Sequence, residues 1–324
     1  MALIPYFEFN GKSTRDFGLT IGQGVEIGYP DKNKKIEPLA WTNVQYDFSN
    51  LYGSQQYTNR LLKFPIHIMN KSESSIYFQN TKILNWLMSV GRQPFYYSEI
   101  PGYYFMAEVV SDIEYDLRHV HDGVLEIVFE CYPFMIDVMP EGHDLVAFIN
   151  VDLDVRQYTN FTFKSYWSSF KQLNIGDQAT YGAWATQYYD PNSSTGGGDK
   201  INPGFHGYTY PIVDKITVAE SDLRPSRVAY KLANHNHWLL EQDVLQAQTE
   251  YLDVVIVNPG ISDVAPIITT NSSVTIVRDD EIYNLQPGVF ETEQFVLKSG
   301  ENHLKMYISN VTLNIDFNFH KELI

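Results

Sequence analysis

The chain has 324 residues, a formal charge of −16 from 23 Lys+Arg and 39 Asp+Glu, 15 % aromatic residues and only 19 % charged residues. This composition is typical of folded domains rather than of disordered chains, and the length suits two or three domains. The negative charge disfavours an outward nucleic-acid-binding surface. A single cysteine, Cys131, excludes an intrachain disulfide and cysteine-rich metal sites.

The N-terminus MALIPYFEFN has no basic lead and is interrupted by Pro5 and Glu8, so it lacks the pattern of a secretory signal. No apolar run approaches the roughly 20 residues that cross a bilayer. We therefore expect folding in a reducing cytoplasm and no membrane insertion.

Most of the first 135 residues alternate apolar and polar side chains, which indicates half-buried antiparallel strands. Leu62, Phe64, Ile66 and Ile68 share one face, and Pro65 is expected at an edge or a bulge because it cannot donate to a ladder. In a second strand, Leu125 to Cys131, the Cys131 thiol faces the core as a small hydrophobe.

One stretch has a helical period. From Ser75 to Val90 the apolar residues recur at three- and four-residue steps, after Ser72 and Glu73 and before Gly91, which predicts one helix packed on a sheet. Residues 1–137 are therefore predicted to form a mainly β domain with a single helix.

Pro133, Pro140 and Gly142 mark a boundary, so a second domain is predicted over 138–324. Its short strands at 8–12-residue spacing predict a β-sandwich. The segment 190–199, rich in Gly, Ser and Asn, is predicted to be a solvent-exposed loop between two strands, and a short helix is weakly signalled near 239–248.

The sequence contains no motif with the spacing typical of a phosphate loop or a metal site. The spacing of Gly22, Gly24 and Gly28 does not match a phosphate loop, and the pairs His119/His121 and His235/His237 lack metal-site spacing. Glycosidase carboxylates could lie among five acidic residues, but sequence cannot pair them across a cleft: Asp152, Asp154, Asp190, Asp214 and Glu220. No catalytic, cofactor or metal site is predicted, and an enzyme ranks third among the functions considered.

A group of aromatic and polar residues near the 190–199 loop remains as a candidate contact surface. Such side chains suit sugar faces, protein interfaces or simple core packing, and the sequence leaves all three open. The candidate residues for carbohydrate or partner contact are Trp167, Trp184, Tyr188, Tyr189, His206 and Tyr208.

Several segments, in order, resemble one family. They are the opening Phe7–Leu19 with its Phe-Gly-Leu step, the strand Arg60–Ile68, the helix ending at Trp86-Leu87, the strand at Tyr103-Tyr104, and the closing Phe129–Phe134. Over about the first 135 residues the chain resembles the distal tail proteins of long-tailed, non-contractile bacteriophages.

The resemblance implies a belt-type sheet or split-barrel domain that forms a homo-hexameric ring around a DNA channel. In the family, this ring links the major tail protein of the tube to the tail-tip and host-adhesion proteins, and a galectin-like β-sandwich projects outward. Segments 257–260 and 265–268 are similar to the entry of that sandwich. The location implied is the tail tip of a virion.

The chain departs from short family members between about 140 and 250. That region is interpreted as an elaboration of the sandwich, an arm holding a receptor-binding protein, or an inserted carbohydrate-binding module. The leading hypothesis is a structural hub with no bound DNA. The alternatives are another tail-tube or baseplate subunit, or an adhesion module for host cell-wall polysaccharide acting through residues 150–215.

Overall fold

The computed structural model describes residues 4–38, 45–49, 55–69, 76–110, 114–119, 122–141, 159–165, 170–219, 225–309 and 311–324. The chain divides into two compact units. The first comprises Met1–Pro140, Gly260–Ser262 and His320–Ile324, and the second comprises Glu141–Pro259 and Asp263–Phe319. The predicted domain bounds, 1–137 and 138–324, stay a prediction.

The first unit contains helix α1 (Ile76–Met88). Its strands before the second unit begins are β1 (Phe7–Phe9), β2 (Lys12–Ser13), β3 (Leu19–Ile21), β4 (Glu26–Ile27), β5 (Ile36–Pro38), β6 (Gln45–Asp47), β7 (Arg60–Met69), β8 (Gln93–Tyr97), β9 (Tyr103–Val109), β10 (Glu114–His119), β11 (Asp122–Cys131) and β12 (Met135–Asp137).

The second unit is built from strands. They are β13 (Asn160–Lys164), β14 (Gln178–Thr180), β15 (Gln187–Tyr189), β16 (Gly197–Lys200), β17 (Thr209–Thr217), β18 (Val228–Leu232), β19 (Trp238–Leu240), β20 (Leu252–Asn258), β21 (Ile267–Thr270), β22 (Val274–Arg278), β23 (Glu281–Leu285), β24 (Gly288–Glu291), β25 (Gly300–Ile308) and β26 (Thr312–Asn318). The last strand, β27 (Glu322–Leu323), belongs to the first unit.

The main sheet of the first unit has the strand order β2-β1-β8-β9-β11-β7-β3. Strands β7 and β11 pair antiparallel over ten residues, from Met69↔Asp122 to Arg60↔Cys131. The alternation predicted from the sequence is confirmed, because one face of each strand is fully buried. Those buried residues are Leu62, Phe64, Ile66, Ile68, Leu125, Ile127, Phe129 and Cys131.

Pro65 does not lie on an edge strand, so the edge alternative was wrong; it lies where the neighbouring segment between β3 and β4 is irregular. Strand β7 is flanked by β11 on one side and by β3 and β4 on the other. The Pro65 carbonyl accepts from the Gly22 N–H at 2.7 Å. In an antiparallel strand, the backbone N and C=O of one residue point to the same side. The Pro65 nitrogen, which carries no hydrogen, therefore faces the break between β3 and β4, and no hydrogen bond of the ladder is lost there.

Helix α1 packs on the buried face of this sheet, which confirms the single helix predicted over 75–90. Ile83 and Leu87 are fully buried, and the Trp86 indole Nε1–H donates to the Phe9 carbonyl at 2.8 Å. The Trp86 ring also stacks on Phe17 with centroids 4.6 Å apart. The helix is thereby held to the sheet by an apolar stripe and by one buried polar bond.

The segment His320–Ile324 belongs to the first unit. Strand β27 pairs with β12 through Met135↔Leu323 and Ile136↔Glu322. The Glu322 carboxylate accepts from the Tyr132 hydroxyl at 3.1 Å and from the Ser262 hydroxyl. Burial raises the pKa of Glu322, against the lowering effect of those two hydrogen bonds.

The second unit contains a β-sandwich of two four-stranded sheets, β13-β26-β21-β24 and β20-β25-β22-β23. Their inward faces share one buried cluster that includes Ile256, Ile268, Ile276, Met306 and Ile315. This agrees with the predicted sandwich, and the mainly β fold class is confirmed. The galectin-like assignment stays a prediction.

Between β13 and β20 the chain forms a further sheet with the order β14-β17-β18-β19-β15-β16. It has a core of its own around Tyr181, Tyr188 and Tyr230. The helix weakly signalled near 239–248 is instead the strand β19 followed by two 3₁₀ turns, Glu241–Asp243 and Leu245–Ala247, separated by extended backbone at Val244. Among the described residues, no helix has the length and hydropathy to cross a bilayer.

The buried thiol gives a first prediction. Burial raises the pKa of Cys131 to about 12, with only partial opposition from the Arg60 charge. Because the thiolate is the reactive form, we expect the native chain to react with a disulfide thiol reagent at pH 8 at least about a hundredfold more slowly than the unfolded chain. Fast labelling of native protein would contradict this burial.

Candidate functional site

The structure places the six predicted contact residues in different environments. Trp184 is 7 % exposed and packs against Ala183 and Leu245. Its indole Nε1–H donates to the Gln242 carbonyl at 2.8 Å. Core packing, one of the alternatives that the sequence left open, therefore describes Trp184 best. Trp167 lies outside the described residues.

Tyr188 is also buried, at 6 % exposure. Its ring meets Tyr181 edge-on at 6.4 Å, and it stacks on the His237 imidazole at 4.6 Å with the planes 19° apart. Tyr188 thus fixes the position of His237.

His206 and Tyr208 form a separate turn. A ring nitrogen of His206, Nε2, lies 2.8 Å from the Ala185 carbonyl oxygen, and Tyr208 is 60 % exposed. The Tyr208 carbonyl accepts from the Tyr181 backbone N–H at 3.2 Å. These two residues hold the turn, and they do not line the cavity formed by Tyr189.

Tyr189 is the predicted residue that lines a concave site. We call this site the hairpin groove, because most of it is formed by the β15–β16 hairpin; its volume is about 470 Å³. The groove is lined by Tyr189, Asp190, Pro191, Asn192, Gly197, Gly198, Asp199, Asn236, His237 and Trp238. No sequence pattern indicated a ligand contact for Asn236 or Trp238, and the spacing of His235 and His237 raised only the possibility of a metal ligand.

The strand register builds the floor of the hairpin groove. Tyr189 is the cross-strand partner of Gly197 on β16 and of Trp238 on β19. Residues directly opposite in an antiparallel pair point to the same face, so the Tyr189 and Trp238 side chains share a face. Both pack on a buried cluster of Val218, Ala229 and Leu240.

The hairpin loop is held by local hydrogen bonds, as its composition predicts. The Asp190 carboxylate accepts from the Asn192 N–H at 2.9 Å, and the Asp190 N–H donates to the Gly196 carbonyl at 3.0 Å. Gly196 has φ = +68°, which glycine adopts without strain. A Cβ at Gly198 would approach the Tyr188 carbonyl oxygen to 3.1 Å, so glycine lets the two strands come close.

Carboxylates outnumber cations at the hairpin groove. The Asp199 carboxylate lies 3.9 Å from His237 Nδ1, and both side chains are exposed. The ammonium of Lys231 lies 5.9 Å from the Trp238 ring centroid. The groove therefore offers hydrogen-bond acceptors beside two aromatic rings.

The two histidines His235 and His237, considered earlier as metal ligands, contact different rings, and His121 lies outside the described residues. His235 packs against the Tyr210 ring at 4.5 Å, while His237 stacks on Tyr188. Within the described part of the chain, no three His, Cys, Asp or Glu side chains are placed to hold a metal ion. Of the five suggested carboxylates, Asp190 lines the groove and Asp214 lies on β17, and the other three fall outside the described residues.

A second concavity lies on the first unit, beside α1. It has a volume of about 320 Å³ and is lined by Asn10, Lys12, Phe17, Lys82, Asn85, Trp86 and Ser89. The Asn10 amide donates to the Trp86 carbonyl at 3.3 Å, and Lys12 Nζ lies 5.7 Å from the Phe17 ring centroid. The first contact joins the turn after β1 to α1, and the second joins β2 to the 3₁₀ turn Thr14–Phe17, so both serve the packing of the first unit.

Comparison with known proteins identifies a class for the N-terminal part. Residues 4–132 match a family model described as a phage tail protein N-terminal domain. Over these residues the chain is similar to the N-terminal domain of bacteriophage tail proteins. No curated protein matches the sequence.

Solved structures of two phages are similar over nearly the whole chain. The SPP1 Dit (gp 19.1) protein, described as a paradigm of the hub adsorption apparatus in phages infecting Gram-positive hosts, is 8 % identical, with a TM-score of 0.49 and coverage of 99 % of this chain and 100 % of that one. The phage P2 baseplate in its activated conformation with Ca is 9 % identical, with a TM-score of 0.33 and 98 % coverage of each chain. Likeness at this level is too weak to assign a function.

Two substitutions test whether Trp184 is a core residue. We expect Trp184→Ala to lower the free energy of unfolding by about 3–5 kcal/mol, because a large buried ring leaves a cavity. The matched control Tyr208→Ala should change it by less than about 0.5 kcal/mol, since that ring is exposed. Urea denaturation measures both, and equal effects would refute the difference in role.

Asp243 gives a pH prediction. Burial raises its pKa from 3.8 to about 8, so the folded chain keeps a proton that the unfolded chain releases. The contribution of the Asp243 carboxyl to the free energy of unfolding is fully present below about pH 4 and is lost as the pH rises through about 8. We expect thermal stability to fall over this range and to fall less in Asp243→Asn. The exposed control Asp214→Asn should show the same change of thermal midpoint with pH as the wild type. An identical change in all three proteins would contradict the burial of the Asp243 carboxyl.

Proposed function

We propose that this protein is the structural hub of a phage tail tip: a hexameric ring that joins the tail tube to the tail-tip and adhesion proteins around a channel for DNA. The observation that carries the proposal is the match of residues 4–132 to the N-terminal domain of phage tail proteins. The ordered resemblance of the first 135 residues to distal tail proteins supports the hub role within that class. The proposed role is structural rather than catalytic.

An exposed hairpin in the first unit supplies a surface for assembly. Within the described ranges, strands β5 and β6 pair only with each other, and every residue in both strands is exposed. Ile36, Tyr46 and Phe48 present apolar side chains at 43 %, 51 % and 40 % exposure. An isolated two-stranded hairpin is marginally stable in water, so a neighbouring copy would stabilise it. We name this element the assembly hairpin.

A closed ring of identical subunits requires two different complementary surfaces on each copy. The assembly hairpin is proposed as one of them, and the open strand edges of the first unit are proposed as the other, since edges pair readily with a second chain. The formal charge of −16 suits a channel through which DNA passes without binding.

The proposed partners follow from this place in the particle. They are five further copies of the chain, the major tail protein, a tail-tip protein, and a receptor-binding protein or a host cell-wall saccharide. The proposed location is the virion tail tip, after folding in the host cytoplasm. Adhesion to cell-wall polysaccharide is the second candidate function, and the hairpin groove is the observation that favours it.

The ring is tested on the purified full chain. Light scattering should give the mass of six chains, or of a ring multiple, and negative-stain images should show an annulus with a central hole. A protein that stays monomeric at high concentration, with or without the major tail protein, would refute the hub proposal.

The assembly hairpin is tested by the double substitution Tyr46→Ser with Phe48→Ser. Because both rings are exposed in the single chain, we expect the thermal midpoint of the monomer to change little and the association constant of the ring to fall at least about tenfold. The control Val289→Ser removes a side chain that is 64 % exposed on β24 of the second unit and should leave association unchanged. Unaltered assembly of the double variant would exclude the hairpin from the ring contact.

A further inference from the structure

We propose that the six-stranded sheet between β13 and β20, here called the inserted sheet, is joined to the sandwich by a pH-sensitive latch that holds while His206 is neutral and loosens when His206 is protonated. Both parts belong to the second unit, so the proposal does not depend on the ring. The latch consists of Ala183, Trp184 and His206 from the inserted sheet and its loops, and of Thr275, Asn284 and Gln286 from the sandwich.

An apolar contact forms the centre of the latch. The buried cluster that contains Trp184 and Leu245 packs against Val277 and Ile282 of the sandwich. Val277 on β22 and Ile282 on β23 are cross-strand partners, so their side chains share one face of the sheet. The adjacent residue Ile276 lies in the sandwich core, and side chains alternate along a strand. The inserted sheet therefore covers the outer face of β22 and β23.

Hydrogen bonds fix the position of this contact. The Ala183 N–H donates to Thr275 Oγ1 at 3.0 Å, and the Thr275 hydroxyl donates to Asn284 Oδ1 at 2.9 Å. Gly207 has φ = +81°, and a Cβ at this position would collide with the Asn284 amide, so glycine lets the turn approach β23. Leaving a buried N–H without its acceptor is costly, which favours one docked position.

The hydrogen bonds around His206 require a neutral imidazole. His206 Nε2 lies 2.8 Å from the Ala185 carbonyl oxygen, which only accepts, so Nε2 carries the hydrogen. The Ser273 hydroxyl donates to Gln286 Oε1 at 2.9 Å, and Gln286 Nε2 donates to the Ala183 carbonyl at 2.9 Å. These two bonds direct Gln286 Nε2 toward His206 Nδ1, which is 3.4 Å away. Because an amide nitrogen only donates, Nδ1 is the acceptor and carries no hydrogen.

Protonation of His206 changes this arrangement. It places a second donor, Nδ1–H, opposite the Gln286 Nε2–H group. The Gln286 amide can offer its oxygen to the imidazolium only by giving up its bonds to Ser273 and Ala183. Acid therefore removes at least one hydrogen bond between the inserted sheet and the sandwich, and the docked position opens more often.

The other ionisable groups nearby do not contact the His206 ring. Within the described ranges, the histidines with a carboxylate oxygen within 4 Å are His237 and His303. The ionisable side chains of β22 and β23 bond one another, and they are Arg278, Glu281 and Tyr283. The ionisable residues of β25 are Glu301, His303, Lys305 and Tyr307, of which Tyr307 packs on the apolar contact.

Asp243 responds to acid in the opposite direction. Its backbone carbonyl accepts from the Gly182 N–H at 2.9 Å, so it lies beside the latch. Burial raises the pKa of the Asp243 carboxyl to about 8, so acidification stabilises the fold through this group. A loss of docking in acid therefore has to come from another group.

Hydrogen exchange of the full chain tests the latch. Mass spectrometry of the peptide that contains Ala183 is compared at pH 7.5 and at pH 5, where histidine side chains ordinarily carry a charge. After correction for the intrinsic effect of pH on exchange, we expect the protection of the Ala183 amide to fall at least about tenfold in acid. Strand β7 is the internal reference and should keep its protection. Equal protection of Ala183 at both pH values, or an equal fall in β7, would overturn the proposal.

Variants assign the response to His206. His206→Gln keeps a side chain that can donate to the Ala185 carbonyl and does not titrate, so its Ala183 protection should be the same at both pH values. Gln286→Ala should lower that protection at pH 7.5 to about the acid value of the wild type. The control His303→Gln replaces an exposed histidine of the sandwich and should respond to acid as the wild type does.

Thermal unfolding at pH 7.5 checks that each variant is folded. If folded His206→Gln loses protection in acid as the wild type does, another group is responsible and the proposal fails. If the response is absent from His206→Gln and present in His303→Gln, the latch and its switch are established.

Discussion

The antiparallel ladder between β7 and β11 is the interaction on which the first unit depends. Ten consecutive residue pairs fix the register, and a shift by one residue would turn Phe64, Ile66 and Phe129 from the core to solvent. Strands β3, β4 and β9 add to these two strands, and α1 covers the apolar face that they create.

The second unit depends in a similar way on cross-strand register. Its sandwich closes around one cluster, while the sheet between β13 and β20 has its own aromatic core. Tyr189 illustrates the consequence, because a single residue pairs with Gly197 on one side and with Trp238 on the other. The glycine leaves room and the tryptophan adds a ring, so the same register that stabilises the sheet shapes the hairpin groove.

The proposed functions divide between two kinds of surface. Assembly needs exposed apolar residues and open backbone edges, which the assembly hairpin and the main sheet of the first unit supply. Recognition of a saccharide needs a concave surface with fixed polar groups, which the hairpin groove supplies. Residues 4–132, which match the family model described as a phage tail protein N-terminal domain, contain the first kind of surface.

Local patterns in the sequence determined the strands β7 and β11, helix α1, the burial of Cys131 and a loop after Tyr189, because periodicity and turn residues act over a few neighbours. The predicted loop 190–199 was too long, because strand β16 begins at Gly197. Only the tertiary structure decided which strands meet. It brought Glu322 to Tyr132, 190 residues away in the chain, and paired it with β12. It also placed Pro65 opposite the break between β3 and β4, buried Trp184, and brought Trp238 to Tyr189. Pairing between distant strands depends on the fit of whole faces, and no short window of sequence contains that information.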